Sequence, residues 1–68
     1  MDNWTKIVST TSEVEAAFIQ GLLLENDIQS NLLNKRDSAY GTFGEIEIYV
    51  NKDNVIKALK ILNERDQE

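Results

Sequence analysis

The spacing of apolar residues divides the chain into five short elements, three of which have the pattern of strands. "NWTKIVST" is rich in β-branched and aromatic residues and ends at a polar Ser/Thr cluster, as strands often do. "IQSNLL" and "EIEIYV" are two further runs of strand length. The last of these alternates strictly, with Ile46, Ile48 and Val50 on one face and Glu45, Glu47 and Tyr49 on the other. A period of two predicts a strand whose isoleucines face the core and whose carboxylates face water.

Between the first two runs, "TSEVEAAFIQGLLLEN" repeats its apolar residues every three or four positions, which predicts a helix. Ser12 and Glu15 have capping-box spacing at its start, and "ND" at positions 26–27 suits a left-handed turn at its end. Gly21 is expected to allow close packing on the sheet. Additional apolar residues widen the surface, so part of it should meet another helix or subunit. The face predicted to be buried comprises Val14, Ala17, Phe18, Gly21 and Leu22.

The final stretch, "NKDNVIKALKILNERDQE", predicts a second helix with Asn51 as its N-cap and Asp53 in its first turn. Its predicted buried row comprises Val55, Ala58, Leu59 and Leu62. The predicted order is strand, helix, strand, strand, helix. If the first helix forms a right-handed crossover and the next two strands form a hairpin, the chain is an α+β protein with a ferredoxin-like βαββα fold. We expect one domain, residues 1–68, with a three-stranded antiparallel sheet, the third strand in the middle, and two helices packed on one face.

Composition narrows the classes of function. The chain of 68 residues contains neither histidine nor cysteine, so the commonest general base and metal ligand and any thiol nucleophile are absent. We therefore expect no enzyme, no metal and no cofactor. Glu45 and Glu47 have the spacing of paired carboxylates, but acidic residues on a sheet are more often solvated or paired with lysines across a strand or subunit.

Charge and segment lengths indicate the compartment and the class of partner. A net charge of −5 opposes binding to nucleic acids or anionic lipid, and two glutamates on the strand face that would stack bases argue against an RNA recognition motif. The N-terminus lacks signal-peptide features, and no apolar run has the length of a membrane span. We expect a cytoplasmic protein, and the uncovered sheet and its edges favour a homo-oligomer.

The connection "NKRDSAYGTFGE" is about twice as long as an ordinary hairpin loop. It contains the only adjacent pair of basic residues in the chain. One interpretation is that its side chains present hydrogen-bond donors to a protein partner or a small anionic ligand. The other is a solvated loop in which Asp37 or Ser38 caps a turn. The candidate binding residues are Lys35, Arg36, Asp37, Ser38 and Tyr40.

Three segments together resemble a known family. They are the first helix with its Gly21-Leu22-Leu23 run and following Asn-x-Ile turn, the "NKRDSAY" loop, and "FGEIEIYV" followed by a helix that contains Ala58. This pattern, which extends from Ile7 to Leu62, resembles the small bacterial domains of unknown function described as putative prokaryotic signal-transducing proteins. The loop and the third strand are the most specific parts of the resemblance.

The resemblance implies a ferredoxin-like domain similar in topology to the nitrogen-regulatory PII proteins. In those regulators the long loop after strand two contacts target proteins, and nucleotides bind between subunits. The hypothesis is a noncatalytic cytoplasmic binding or regulatory module that uses the loop between strands two and three. The alternative is a small-molecule sensor domain that binds an anionic metabolite or nucleotide at a subunit interface.

Overall fold

A computed structural model describes residues 3–35 and 44–66 of the chain. The strands and helices alternate in the order strand, helix, strand, strand, helix, with a short 3-10 turn before the last helix. Their bounds are β1 Trp4–Thr10, α1 Glu13–Glu25, β2 Ser30–Asn34, β3 Ile46–Asn51, the 3-10 turn Lys52–Asn54, and α2 Val55–Asp66. The structure confirms the predicted α+β class and the βαββα arrangement.

The three strands form an antiparallel sheet in the order β1-β3-β2, so the third strand is central, as predicted. The register of β2 with β3 is regular, with Leu32 opposite Ile48. The register of β1 with β3 shifts once, between Lys6 and Val8, which makes Ile7 an extra residue in β1. Ile7 and Val8 both pack against the core, as two successive residues do at a β-bulge.

The core lies between the two helices and one face of the sheet. The alternation predicted for β3 holds for its apolar half, because its isoleucines and valine are fully buried. Both helices contribute buried side chains to the same cluster, so they pack on the same face of the sheet. The buried apolar residues are Ala16, Ile19, Leu23, Ile28, Ile46, Ile48, Val50, Ala58 and Leu62.

The orientation of α1 differs from the prediction. Its buried residues are Ala16, Ile19 and Leu23. The predicted face points to solvent instead, and Val14 is 82% exposed. Because α1 is apolar over a wide arc, its spacing is compatible with two stripes, and only docking on the sheet selects one of them. The prediction of a buried face containing Val14, Ala17, Phe18 and Gly21 was therefore wrong, whereas Leu22 is partly buried.

The prediction for Gly21 was also wrong. This residue is exposed, and apart from the neighbouring backbone of its own helix a Cβ placed on it would have no described atom within 4 Å. The end of α1 follows the prediction, because Asp27 adopts a left-handed φ of 63°. The backbone N–H of Ile28 then donates to the carbonyl oxygen of Leu23 at 2.9 Å, which closes the helix end.

Asn51 is an N-cap, as predicted, but it caps the short 3-10 turn that precedes α2 rather than α2 itself. Its side chain accepts a hydrogen bond from the backbone N–H of Asp53 at 2.9 Å. Ala58 and Leu62 are buried, and Val55 packs partly against the core. Leu59 was predicted to be buried and is exposed, because the buried stripe of α2 includes Ile61 rather than Leu59. No helix in the described ranges is long and apolar enough to cross a membrane.

The N-cap of α1 provides a first test of the fold. The Ser12 hydroxyl accepts a hydrogen bond from the backbone N–H of Glu15 at 3.1 Å. Replacing this serine by alanine (Ser12→Ala) leaves that N–H without its cap, so we expect a loss of about 1 kcal/mol in the free energy of unfolding. Urea denaturation measures this change in the free energy of unfolding. Thr11→Ala, at the exposed neighbouring position, is the matched control, and equal losses in the two variants would contradict a capping role for Ser12.

Candidate functional site

The structure describes one of the five predicted binding residues, Lys35. Arg36, Asp37, Ser38 and Tyr40 lie outside the described residues. Lys35 directly follows β2, and its backbone N–H donates to the carbonyl oxygen of Glu45 at 2.9 Å. This bond extends the β2–β3 ladder by one pair, so the sheet holds both ends of the connection between the two strands.

The Lys35 side chain is part of a charged cluster on the face of the sheet opposite the helices. Its Nζ lies 3.4 Å from Oε2 of Glu47, on the central strand. The Lys6 Nζ, from β1, donates to the same oxygen at 3.3 Å. The Tyr49 hydroxyl donates to the other carboxylate oxygen, Oε1, at 2.9 Å. We call Lys6, Lys35, Glu47 and Tyr49 the open-face cluster, because they lie on the face of the sheet that the helices leave uncovered.

The bulge in β1 explains why Lys6 belongs to the cluster. Directly opposed residues of an antiparallel pair share a face, and Lys6 lies opposite Tyr49 on the open face. Had the register of Val8 with Ile48 continued without interruption, Lys6 would lie opposite Val50 and face the core. The extra residue, Ile7, therefore turns the Lys6 side chain toward Glu47.

Glu47 is buried on a face that the helices do not cover. Only 4% of its surface is accessible to solvent, so the prediction that this position faces water was wrong. Its direct cross-strand neighbours, Ser9 on β1 and Leu33 on β2, flank it on both sides. A buried carboxylate is stable only when its oxygens have partners, and here both oxygens have them.

These contacts change the acidity of two groups in the cluster. The hydrogen bond from Tyr49, together with Lys6 and Lys35, lowers the pKa of the Glu47 carboxyl below 4.5, although burial opposes this shift. The same hydrogen bond to Glu47 raises the pKa of the Tyr49 hydroxyl above 10.0. Glu47 is therefore ionised and Tyr49 neutral at neutral pH, and the two lysines bring one positive charge more than the single carboxylate balances.

The arrangement is suited to binding rather than to proton transfer. A carboxylate that accepts hydrogen bonds from Lys6 and Tyr49, forms an ion pair with Lys35 and has a lowered pKa is a weak base near neutral pH. The side chains of Lys6 and Lys35 are each about half exposed, at 50% and 52%, so both ammonium groups also reach solvent. No group of acidic, histidine or cysteine side chains in the described part of the chain has the arrangement of a metal site.

Comparison with known proteins decides the family. The family model described as "putative prokaryotic signal transducing protein" matches residues 4–66. The chain belongs to this family. No curated protein and no solved structure shows significant similarity to it. The match includes all three strands and both helices of the signal-transducing family member described above, and therefore also the open-face cluster.

In this member of the signal-transducing family, sequence reasoning identified Lys35 but missed Lys6, Glu47 and Tyr49 as members of one cluster. The alternation in β3 already placed Glu47 and Tyr49 on one face, and pairing of acidic residues with lysines across strands was expected. The missing information was the bulge at Ile7, which brings in Lys6. Its only trace in the sequence is the pair of adjacent apolar residues, Ile7 and Val8, which interrupts the period of two in β1.

Proposed function

We propose that this protein is a noncatalytic binding module in prokaryotic signalling, and that it contacts a protein partner through the connection between β2 and β3 together with the open face of the sheet. The observation that carries the proposal is the ion pair between Lys35 and Glu47. This pair links the first residue of the connection to the central strand. Lys35, the last described residue before the connection, thus belongs to a surface that carries two half-exposed ammonium groups.

The charge of the cluster suggests the chemistry of the partner. The chain as a whole carries −5, whereas the three basic residues Lys6, Lys35 and Arg36 exceed the carboxylates Glu45 and Glu47 by one positive charge. A positive patch on an acidic protein favours a partner segment rich in aspartate or glutamate and discourages contacts elsewhere on the surface. We infer an acidic protein segment as the partner, within the bacterial cytoplasm.

A loop variant with a matched control tests this role. Replacing Lys35, Arg36 and Tyr40 together by alanine should reduce capture of the partner from a bacterial lysate at least tenfold, because the variant removes two positive charges and an aromatic donor. Affinity capture followed by quantitative mass spectrometry measures it. Stability should fall by less than about 1 kcal/mol, since the Lys35 side chain is half exposed.

The control variant changes Lys57 and Lys60 to alanine. Both lysines are exposed on α2, so this variant removes the same number of positive charges away from the open face. We expect it to capture the partner as the wild type does. Equal capture by the wild type and the loop variant, or equal losses in the loop and control variants, would contradict a specific role for the loop.

One observation favours a second candidate function, a sensor for a small anion. Two ammonium groups converge within 3.4 Å of one carboxylate oxygen, and an anionic metabolite or nucleotide at a subunit interface would find the same donors. NMR titration with inorganic phosphate and with nucleotides distinguishes the two functions. A sensor shows saturable shifts at Lys6 and Lys35, whereas an adaptor for proteins shows none at the same concentrations.

A further inference from the structure

The two edges of the sheet differ in how well they could accept another strand. β1 carries the charged Lys6 and the bulge at Ile7, and both features discourage pairing with a further strand. β2, Ser30–Asn34, has a regular register along its whole length and contains neither a charged residue nor a proline. Among the described residues, this edge therefore has no charge, proline or bulge that would discourage strand addition.

The hydrogen-bond pattern shows which groups of β2 point outward. Lys35 donates its backbone N–H to Glu45 on β3, so the odd-numbered residues of β2 face β3. Because directions alternate along an antiparallel strand, Ser30 and Leu32 direct their backbone N–H and C=O groups away from the sheet. Within residues 3–35 and 44–66, no strand lies beyond β2.

The side-chain surface beside this edge is uncharged. Leu32 lies opposite Ile48, so its side chain is on the helix side of the sheet, where it is 40% exposed. The adjacent stretch of α1, Ala17–Leu24, contains no charged residue. A groove of about 330 Å³ separates this helix from β2 and is lined by Gln20, Gly21, Leu24, Ile28, Gln29 and Ser30.

This uncharged groove continues the edge of β2. The Gln20 Nε2 donates to the Ser30 hydroxyl at 3.3 Å, which joins the helix flank to the start of the strand. Gly21 adds no side chain to the groove, and a Cβ there would meet no described atom within 4 Å other than the neighbouring backbone of its own helix. The flank of α1 and the edge of β2 therefore form one surface that offers both backbone hydrogen bonds and apolar contacts.

We propose that this surface is a homodimer interface in which the β2 strands of two copies pair antiparallel, with Leu32 opposite Leu32 of the second copy. A two-fold axis perpendicular to the sheet always makes the paired strands antiparallel and keeps the helices of both copies on the same side. The outward N–H and C=O of Leu32 then bond to the same groups of the second copy, and the two sheets become one sheet of six strands.

The lack of charge on this surface allows a second copy to approach it. Each chain carries −5, so two copies repel each other wherever charged surfaces meet, and an uncharged edge and helix flank avoid that repulsion. The two-fold axis also brings the α1 flanks of both copies toward each other over the paired strands. The interface does not involve the open-face cluster, so its failure would leave the proposed partner surface intact, and the reverse also holds.

Sedimentation of matched variants tests the interface. Wild type should show a concentration-dependent shift from one to two chains. Leu32→Lys sets two like charges against each other at the axis and should raise the dissociation constant at least tenfold, whereas Ile56→Lys, at an exposed site on α2, should leave it unchanged. Circular dichroism confirms that both variants fold. A wild type that stays monomeric at millimolar concentration, or equal effects of the two substitutions, would overturn the proposal.

Amide hydrogen exchange of the wild type tests the same interface without a substitution. The amides of Asn31 and Leu33 bond within the sheet and should be protected at every concentration. Those of Ser30 and Leu32 should be protected where the protein is dimeric and should exchange faster on dilution. If the protein dimerises while the Leu32 amide exchanges freely, the dimer uses another surface and the proposal fails.

Discussion

Replacing Ile48 by alanine should lower the free energy of unfolding by about 2 to 5 kcal/mol, the usual cost of removing most of a buried aliphatic side chain. Ile48 is fully buried, lies on the central strand, and has Val8 and Leu32 as its cross-strand neighbours. In the described part of the chain, strands flank Ile48 on both sides and helices cover it, so the space left by the substitution is enclosed by regular elements.

The size of the protein makes this loss decisive. Natural domains are stable by roughly 0.05 to 0.15 kcal/mol per residue, which is about 3 to 10 kcal/mol for a chain of 68 residues. Ile48→Ala should therefore remove a large part of the stability of the protein, and at the lower end of this stability range the variant should be largely unfolded at physiological temperature. Thermal and urea unfolding, followed by circular dichroism, measure the change.

Ile56→Ala is the matched control for this prediction. Ile56 lies in the first turn of α2 and is 84% exposed, so the same substitution should change stability by no more than about 0.5 kcal/mol. A loss of less than about 1 kcal/mol for Ile48→Ala, or similar losses for the two variants, would contradict a core centred on β3.

The second large effect is expected at Glu47. Glu47→Gln keeps the shape of the side chain and an oxygen that accepts from Tyr49, but it removes the negative charge between Lys6 and Lys35. Two ammonium groups then lie close together without a counter-charge. We expect a loss of about 1.5 to 3 kcal/mol at neutral pH, the range for hydrogen bonds to charged groups. Glu45→Gln, at the exposed neighbouring carboxylate, should have little effect.

The dependence of stability on pH provides a more specific test of Glu47→Gln. The folded-state pKa of Glu47 lies below 4.5, so the unfolded chain binds more protons at this group in acid than the native chain does. The stability that Glu47 contributes is complete above the unfolded pKa and disappears as the pH falls through the folded pKa. Urea unfolding between about pH 2 and pH 7 should therefore show a smaller acid-induced loss for Glu47→Gln than for wild type. Parallel curves for the two proteins would rule out this role of Glu47.

Tyr49 should make the stability of the wild type fall at alkaline pH, the opposite of the dependence that Glu47 produces. Its folded-state pKa lies above 10.0, so its contribution is complete below the unfolded pKa and is lost as the pH rises through the folded pKa. The cluster thus contributes to stability over the whole neutral range. This suits a surface that must keep Lys35 and the start of the connection in one position.

Local patterns were sufficient for the order of the elements. The period of two in "EIEIYV" predicted the central strand and its buried isoleucines, and Ser12 and Asp27 marked the ends of α1. Each of these features depends on interactions within a few residues, such as a capping hydrogen bond or the alternation of a strand. The family resemblance, which the family match confirms, depends on the same segments.

Long-range contacts decided what the local patterns left open. The buried stripe of α1 contains Ala16, Ile19 and Leu23 rather than the predicted face, because a helix that is apolar over a wide arc can dock in more than one rotation. The same ambiguity made Gly21 a predicted packing contact, whereas it lies in an exposed groove beside β2.

The sequence by itself determined three strands, two helices, their order, and the absence of histidine and cysteine chemistry, because these depend on residue type and local periodicity. The tertiary structure alone decided that the acidic residue Glu47 is buried and that Lys6 reaches it. The position of Lys6 follows from a single extra residue, Ile7, in the pairing of β1 with β3. The pairing of β1 with β3 brings together residues about forty positions apart in the sequence. A shift of one residue in that pairing turns a side chain to the other face of the sheet.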